Sequence, residues 1–112
     1  MTSKECMEVA VSALEEKKGI NLKVIDISKI SPFADYFVIV NGSNERQVQA
    51  LADNVQEKLA EQGVEMRNVE GYRSGNWILM DFNEVIVHVF DAETRSFYEL
   101  ERLWSDGETV NI

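Results

Sequence analysis

One cysteine, one proline and one histidine in 112 residues narrow the chemistry before any motif is sought. Cys6, being alone, excludes an internal disulfide and any zinc site built on several thiolates, and it fits a reducing compartment. It has no Cys-x-x-Cys partner and no cationic cluster to lower its pKa, so packing is its expected role. His88, equally alone, excludes a multi-histidine metal site. The scarcity of proline, with six glycines, 45% hydrophobic and 28% charged residues, describes an ordered globular chain rather than a low-complexity one. Positive charge is also short: 11 Lys and Arg stand against 20 Asp and Glu, a net charge of -9. That sign opposes holding nucleic acid by neutralising phosphates and favours a basic or neutral partner, although it equally serves plain solubility. No apolar run reaches membrane-spanning length. The start, MTSKECMEVA, has neither the layout of a signal peptide nor the Arg-rich character of a transit peptide, so a cytoplasmic location is expected.

What is present reads as one α/β domain over residues 1–105, followed by a flexible C-terminal tail over 106–112. Thr2-x-x-Glu5 offers a capping box, and Met7, Ala10, Val11 and Leu14 recur at the spacing that lines one helix face. A helix over 3–18 is expected, with Gly19 taking the left-handed conformation that stops it. Leu22 to Ile27 reads as a strand. Asp35 to Val40, apolar on both alternations after its first residue, reads as a central one. Asn44-x-x-Gln47 opens a second helix whose Val48, Leu51, Ala52, Val55 and Leu59 form a regular stripe up to Gly63. A strand over 65–70 then completes an expected β-α-β crossover with parallel strands. Strands over 77–82 and 85–90, joined at Asn83-Glu84, precede a short helix carrying Phe97, Leu100, Leu103 and Trp104. The expected fold is a mixed sheet of about five strands with three helices, in the order α-β-β-α-β-β-β-α.

A two-residue connection at Asn83-Glu84 sets Phe82 opposite Val85 and sorts every side chain on the two strands. One face then carries Ile78, Met80, Phe82, Val85, Val87 and Val89, wholly apolar, and must lie against helices. The other pairs Trp77 with Phe90, Leu79 with His88, and Asp81 with Ile86. Either the C-terminal helix covers this second face, with Trp77 merely packed and His88 hydrogen-bonded beneath, or an aromatic and acidic rim stays open to a partner.

Catalytic patterns are thin. Asn41-Gly42-Ser43 before a helix resembles the strand-to-helix turn of nucleotidyltransferases, but Ser43 or Asn44 as an ordinary helix cap explains it better. The carboxylates needed for magnesium do not align: Glu65 and Glu70 are separated by an odd interval, and Asp81 and Glu84 flank a turn. Asp81 is too far along its strand from the pairing position of His88 for a general-base pair. The basic residues, among them Arg67 and Arg73, are scattered without interleaved aromatics. No catalytic residue, metal site or cofactor is therefore expected.

Asp35-Tyr36-Phe37-Val38-Ile39, Gly42-Ser43 and Arg46-Gln47-Val48 are followed by Glu70-Gly71, Trp77 to Phe82 and Glu84 to Phe90. The series closes with Arg95-x-Phe97-Tyr98-x-Leu100-Glu101-x-Leu103-Trp104. In this order the motifs resemble the ribosomal silencing factor (RsfS, or Iojap-like) family over residues 4–105. The resemblance implies a nucleotidyltransferase-like fold without the catalytic acids. It also implies docking on the large ribosomal subunit through ribosomal protein uL-fourteen, blocked joining of the small subunit, repressed translation, and a homodimer when free. Carried onto this chain, the partner-binding positions are Trp77, Asp81, His88 and Tyr98, with Glu70 and Glu101 as an acidic rim. A divergent nucleotidyltransferase-like enzyme or nucleotide-binding module using Ser43 and Asp35 is the alternative. A regulatory module for some other basic protein is a further rival.

Overall fold

The computed structural model describes residues 1–92 and 107–110. In chain order the elements are α1 (Ser3–Glu16), β1 (Ile20–Asp26), β2 (Tyr36–Gly42), α2 (Glu45–Glu61), β3 (Asn68–Glu70), β4 (Trp77–Asp81), β5 (Val85–Asp91) and β6 (Glu108–Val110). They form a mixed α/β domain with one sheet in the order β3-β4-β5-β2-β1-β6. The described residues thus hold six strands and two helices, where about five and three were expected. The third expected helix lies outside the described residues.

Helix α1 starts as its sequence dictates. The Thr2 hydroxyl accepts from the Glu5 N–H, and the Glu5 carboxylate accepts from the Thr2 N–H, so both halves of the capping box are made. Its end differs from expectation. Lys18, not Gly19, takes the left-handed conformation, at φ 62. The N–H groups of Lys18 and Gly19 then donate to the carbonyls of Glu15 and Leu14, a Schellman closure. Gly19 is required for closeness instead: a Cβ there would stand 2.6 Å from a Val40 methyl. Helix α2 does close on the expected glycine, Gly63, at φ 81. At its start Asn44 caps the Gln47 N–H at 2.9 Å, while the Gln47 side chain accepts from the N–H and hydroxyl of Ser43 and donates to the carbonyl of Lys18 at 3.2 Å. Gln47 so ties the start of α2 to the end of α1, and buried Asn54 repeats the tie by donating to the Ala13 carbonyl at 2.8 Å.

In the sheet, β2 is buried from Phe37 onward and occupies the centre, antiparallel to β1 and parallel to β5. This corrects the expected crossover. β3 runs in the same sense as β2 but is separated from it by β5 and β4, and it is an antiparallel edge strand of only three exposed residues. Central parallel positions require strands apolar on both faces. Val85 to Phe90, apolar at every position but His88, comes close to that requirement, and Asn68-Val69-Glu70 does not. The β4–β5 hairpin has the expected register, from Asp81 opposite Ile86 to Trp77 opposite Phe90. Asn83 takes φ 77 in the connection, and the Phe82 N–H donates to the Val85 carbonyl at 3.0 Å.

The segment 108–110, expected to fray with the rest of 106–112, instead pairs with β1 as an edge strand, Val24 opposite Val110 and Asp26 opposite Glu108. A three-residue strand is too short to announce itself by periodicity. Apolar side chains gather into two clusters. The larger joins the helices to the wholly apolar sheet face, with Ala10, Leu14, Leu51, Val55, Ile78, Val87 and Val89 all fully buried, and Cys6 packed among them as expected. The smaller, on the opposite face, comprises Ile25, Ile27, Ala34, Phe37, Ile39 and Phe90, with Trp77 and Ile86 against it. Among the described residues no helix is long and apolar enough to cross a membrane.

Candidate functional site

The second sheet face can be read in rows, since directly paired residues point the same way. Nearest the β4–β5 connection lie Asn68, Asp81, Ile86, Phe37 and Ile25; the next row runs Glu70, Leu79, His88, Ile39; the last holds Trp77, Phe90 and Asn41. Four of the sequence-derived positions, Glu70, Trp77, Asp81 and His88, therefore share one face. Asp81 and Trp77, four residues apart on β4, are separated by roughly 13 Å at the usual strand rise. Tyr98 and Glu101 lie outside the described residues.

Exposure falls toward the middle of this face. Glu70 is exposed, Asp81, Leu79 and Trp77 are partly buried, and His88 and Phe90 are buried. The Trp77 indole N–H donates to His88 Nδ1 at 3.1 Å, and the Trp77 ring stacks on Phe90 at a centroid distance of 5.1 Å. Phe37 meets the imidazole edge-on at 4.9 Å. Because Nδ1 accepts, the proton of the neutral ring sits on Nε2, which is buried and has no partner among the described residues. Burial pushes the His88 pKa down to about 4, so the ring is neutral at physiological pH.

The indole–imidazole bond was absent from the sequence reading, yet it was within reach of it. His88 is the diagonal neighbour of Trp77 in the predicted register, and diagonal pairs fall within range of aromatic side chains. The Trp77 ring is held from beneath by His88 and Phe90 and is partly exposed, while the alternative in which the C-terminal helix covers this face falls on residues outside the described ones. The tight turn before it depends on Gly71, at φ 78, where a Cβ would collide with the Trp77 carbonyl oxygen.

At the other end, the Asp81 carboxylate accepts from the Asn83 N–H at 2.7 Å, which orders the hairpin connection. The Arg67 guanidinium donates to the Asn83 side-chain oxygen at 3.3 Å. Of the two cap candidates in that turn Asn44 is the N-cap, and the Ser43 hydroxyl donates to the Gln47 side-chain oxygen instead. Among the described residues no three His, Cys, Asp or Glu side chains stand close enough to share a metal ion.

These features define a small α/β domain with a mixed sheet, one face sealed by helices and the other bearing aromatic, imidazole and acidic groups. The profile of the family described as "Ribosomal silencing factor during starvation" matches residues 1–112, and the chain belongs to this family, RsfS. It is similar to "Ribosomal silencing factor RsfS" of Halalkalibacterium halodurans, 39% identical over 112 residues that cover 100% of this chain and 96% of that protein. The protein of the same name from Bacillus subtilis is 35% identical, covering 100% and 95%. Among solved structures, one from Chromobacterium violaceum superposes with a TM-score of 0.92 at 38% identity, covering 100% of this chain and 92% of that one.

Proposed function

We propose that this protein docks on the large ribosomal subunit through ribosomal protein uL-fourteen and blocks joining of the small subunit by occupying its space, repressing translation in the cytoplasm without turnover. One observation carries the reading: Glu70, Trp77 and Asp81 converge on a single sheet face of a ribosomal silencing factor family member whose net charge is -9. An acidic surface with an accessible indole suits a basic protein target and is repelled by the surrounding RNA. Tyr98 and Glu101 extend this surface in our reading, and His88 serves it from beneath by holding the indole. A contact of standard size, about 800 Å² from each partner, is within reach of one sheet face and its flanking loops. The free protein is a homodimer that uses the same surface, so self-association and docking compete.

The test is sedimentation of purified large subunits with the protein, followed by addition of small subunits. Stoichiometric co-sedimentation and a reduced yield of joined particles are expected. Particles that join equally well in its presence would remove the reading.

A further inference from the structure

The loop joining β1 to β2 presents Phe33, 83% exposed, the most exposed large apolar side chain among the described residues, with Ile30 exposed beside it. Water contact at this ring gives the fold nothing. The loop is nonetheless held in place. The N–H groups of Ile30 and Ser31 both donate to the Ile27 carbonyl, at 3.0 and 2.8 Å. The Phe33 N–H donates to the Ser31 hydroxyl at 3.2 Å, and Pro32 between them has its φ locked by its own ring. Because the backbone that displays the ring is already ordered, binding has only the ring's own side-chain rotations left to fix.

Phe33 borders an open cleft at the end of the docking face, shared with Pro32, Ile86, Arg67, Asn83 and Asp81. The lining combines apolar groups, Phe33, Pro32 and Ile86, with the hydrogen-bonded polar groups Arg67, Asn83 and Asp81, a mixture that suits a protein interface. Among the described residues Asp81 makes no salt bridge. Its carboxylate has one oxygen on the Asn83 N–H and can receive a cation on the other.

We infer that Phe33 is the anchor of the docking face, its ring entering an apolar pocket of a basic protein whose lysine or arginine pairs with Asp81. The inference rests on the ribosome-docking reading and deepens it by fixing which end of the sheet face meets the partner. Continuity decides the site, since Asp81 belongs both to that face and to this cleft. Charge decides the occupant: Arg67 balances Asp81 within the cleft, but the net charge of -9 and the exposed Glu70 on the same face suit a basic protein and oppose RNA phosphate.

The test uses the full chain and purified large subunits, comparing wild type with Phe33→Ala and Asp81→Asn. Phe33→Ala should unfold at the wild-type temperature and bind the subunits at least about tenfold more weakly. Asp81→Asn should bind more weakly and with a shallower dependence on salt. A benzophenone amino acid at position 33 should cross-link to a ribosomal protein. Undiminished binding by Phe33→Ala overturns the anchor and leaves the ribosome reading standing, whereas a wild-type protein that never co-sediments overturns both. Cross-linking to ribosomal RNA, or loss of self-association with subunit binding intact, assigns the ring to another occupant and also overturns the inference.

Discussion

Replacing His88 with glutamine should flatten the acid dependence of stability. The wild-type imidazole has a pKa of about 4 when folded and 6.5 in the reference state. Between those values the unfolded chain binds a proton that the folded chain refuses, so stability is complete above pH 6.5 and falls as the pH drops toward 4. A gap of about 2.5 pH units at about 1.4 kcal/mol each makes the full loss about 3 kcal/mol. Roughly 2 kcal/mol of it falls between pH 6.5 and 5, clear of the isoelectric region near 4.5 where solubility is lowest. Glutamine is uncharged throughout and its amide oxygen can accept the Trp77 N–H. It also matches the neutral histidine in charge, so relief of the acidic self-repulsion on acidification cancels between the two proteins. The carboxyls of Asp26 and Glu5, both held below their usual range by hydrogen bonds from Ser28 and Thr2, cancel likewise. Urea unfolding followed by tryptophan fluorescence at constant ionic strength, from pH 7.5 to 5, gives the difference directly. Wild type should lose about 2 kcal/mol more than His88→Gln over that range; parallel curves would show that the imidazole titrates normally and is not buried as described.

Gly71→Ala should destabilise by more than about 2 kcal/mol and weaken subunit binding, since its Cβ strikes the Trp77 carbonyl. Gly63→Ala, with a similar positive φ and nothing near its Cβ, should cost only about 1 kcal/mol; equal losses in thermal melts would refute the steric argument. Asn54→Ala leaves the Ala13 carbonyl without its buried side-chain donor and should lower stability by about 1 to 2 kcal/mol in urea titration, with docking unchanged. His88→Leu removes both the indole acceptor and the unpartnered Nε2, two effects of opposite sign, so stability at pH 7 should move by no more than about 1 kcal/mol. Its large-subunit affinity should fall as the Trp77 ring loses its orientation, and unchanged affinity in the sedimentation assay would deny His88 that role.

The hairpin was the most readable part of the sequence, for a physical reason. A two-residue connection leaves one register, and a strict alternation of Ile78, Met80 and Phe82 with Val85, Val87 and Val89 leaves one way to bury it. The helix starts were readable because a cap is a local device: Thr2 and Asn44 need only residues three positions away. Strand neighbours are not local. The polar residues between Glu65 and Glu70 speak against a central strand, but which later strand takes the place beside β2 is decided by pairing, and β5 begins fifteen residues further on. β6 is a three-residue edge strand on β1, with Val110 against the main core and Glu108 paired with Lys29, and it is too short to carry a pattern of its own. Lys18 in place of Gly19 at the end of α1 shows a subtler limit. Sequence identifies a glycine as special, but whether its missing Cβ serves a positive φ or a close neighbour depends on Val40, twenty-one residues away. In the candidate site, the shared face of Glu70, Trp77, Asp81 and His88 follows from pairing, whereas the display of Phe33 follows from how the loop is held. Ser31 and Pro32, just before Phe33 in sequence, signal only a turn.

The division of labour between the two sheet faces follows from their contents. The helix-covered sheet face consists of side chains with no polar atoms to satisfy, and most of the buried apolar residues gather against it, so it dominates the stability of the domain. The opposite cluster is smaller and encloses an imidazole with one nitrogen unpartnered among the described residues, an arrangement that costs free energy rather than supplying it. A sheet optimised for stability alone would place an apolar residue at position 88. The histidine does what an apolar residue cannot: it accepts the Trp77 N–H, so the indole keeps one orientation at a partly open surface and brings less disorder to be lost on contact. Because the first face already secures the fold, the second can carry that cost, and a partner that meets this face through Trp77 finds an indole already oriented.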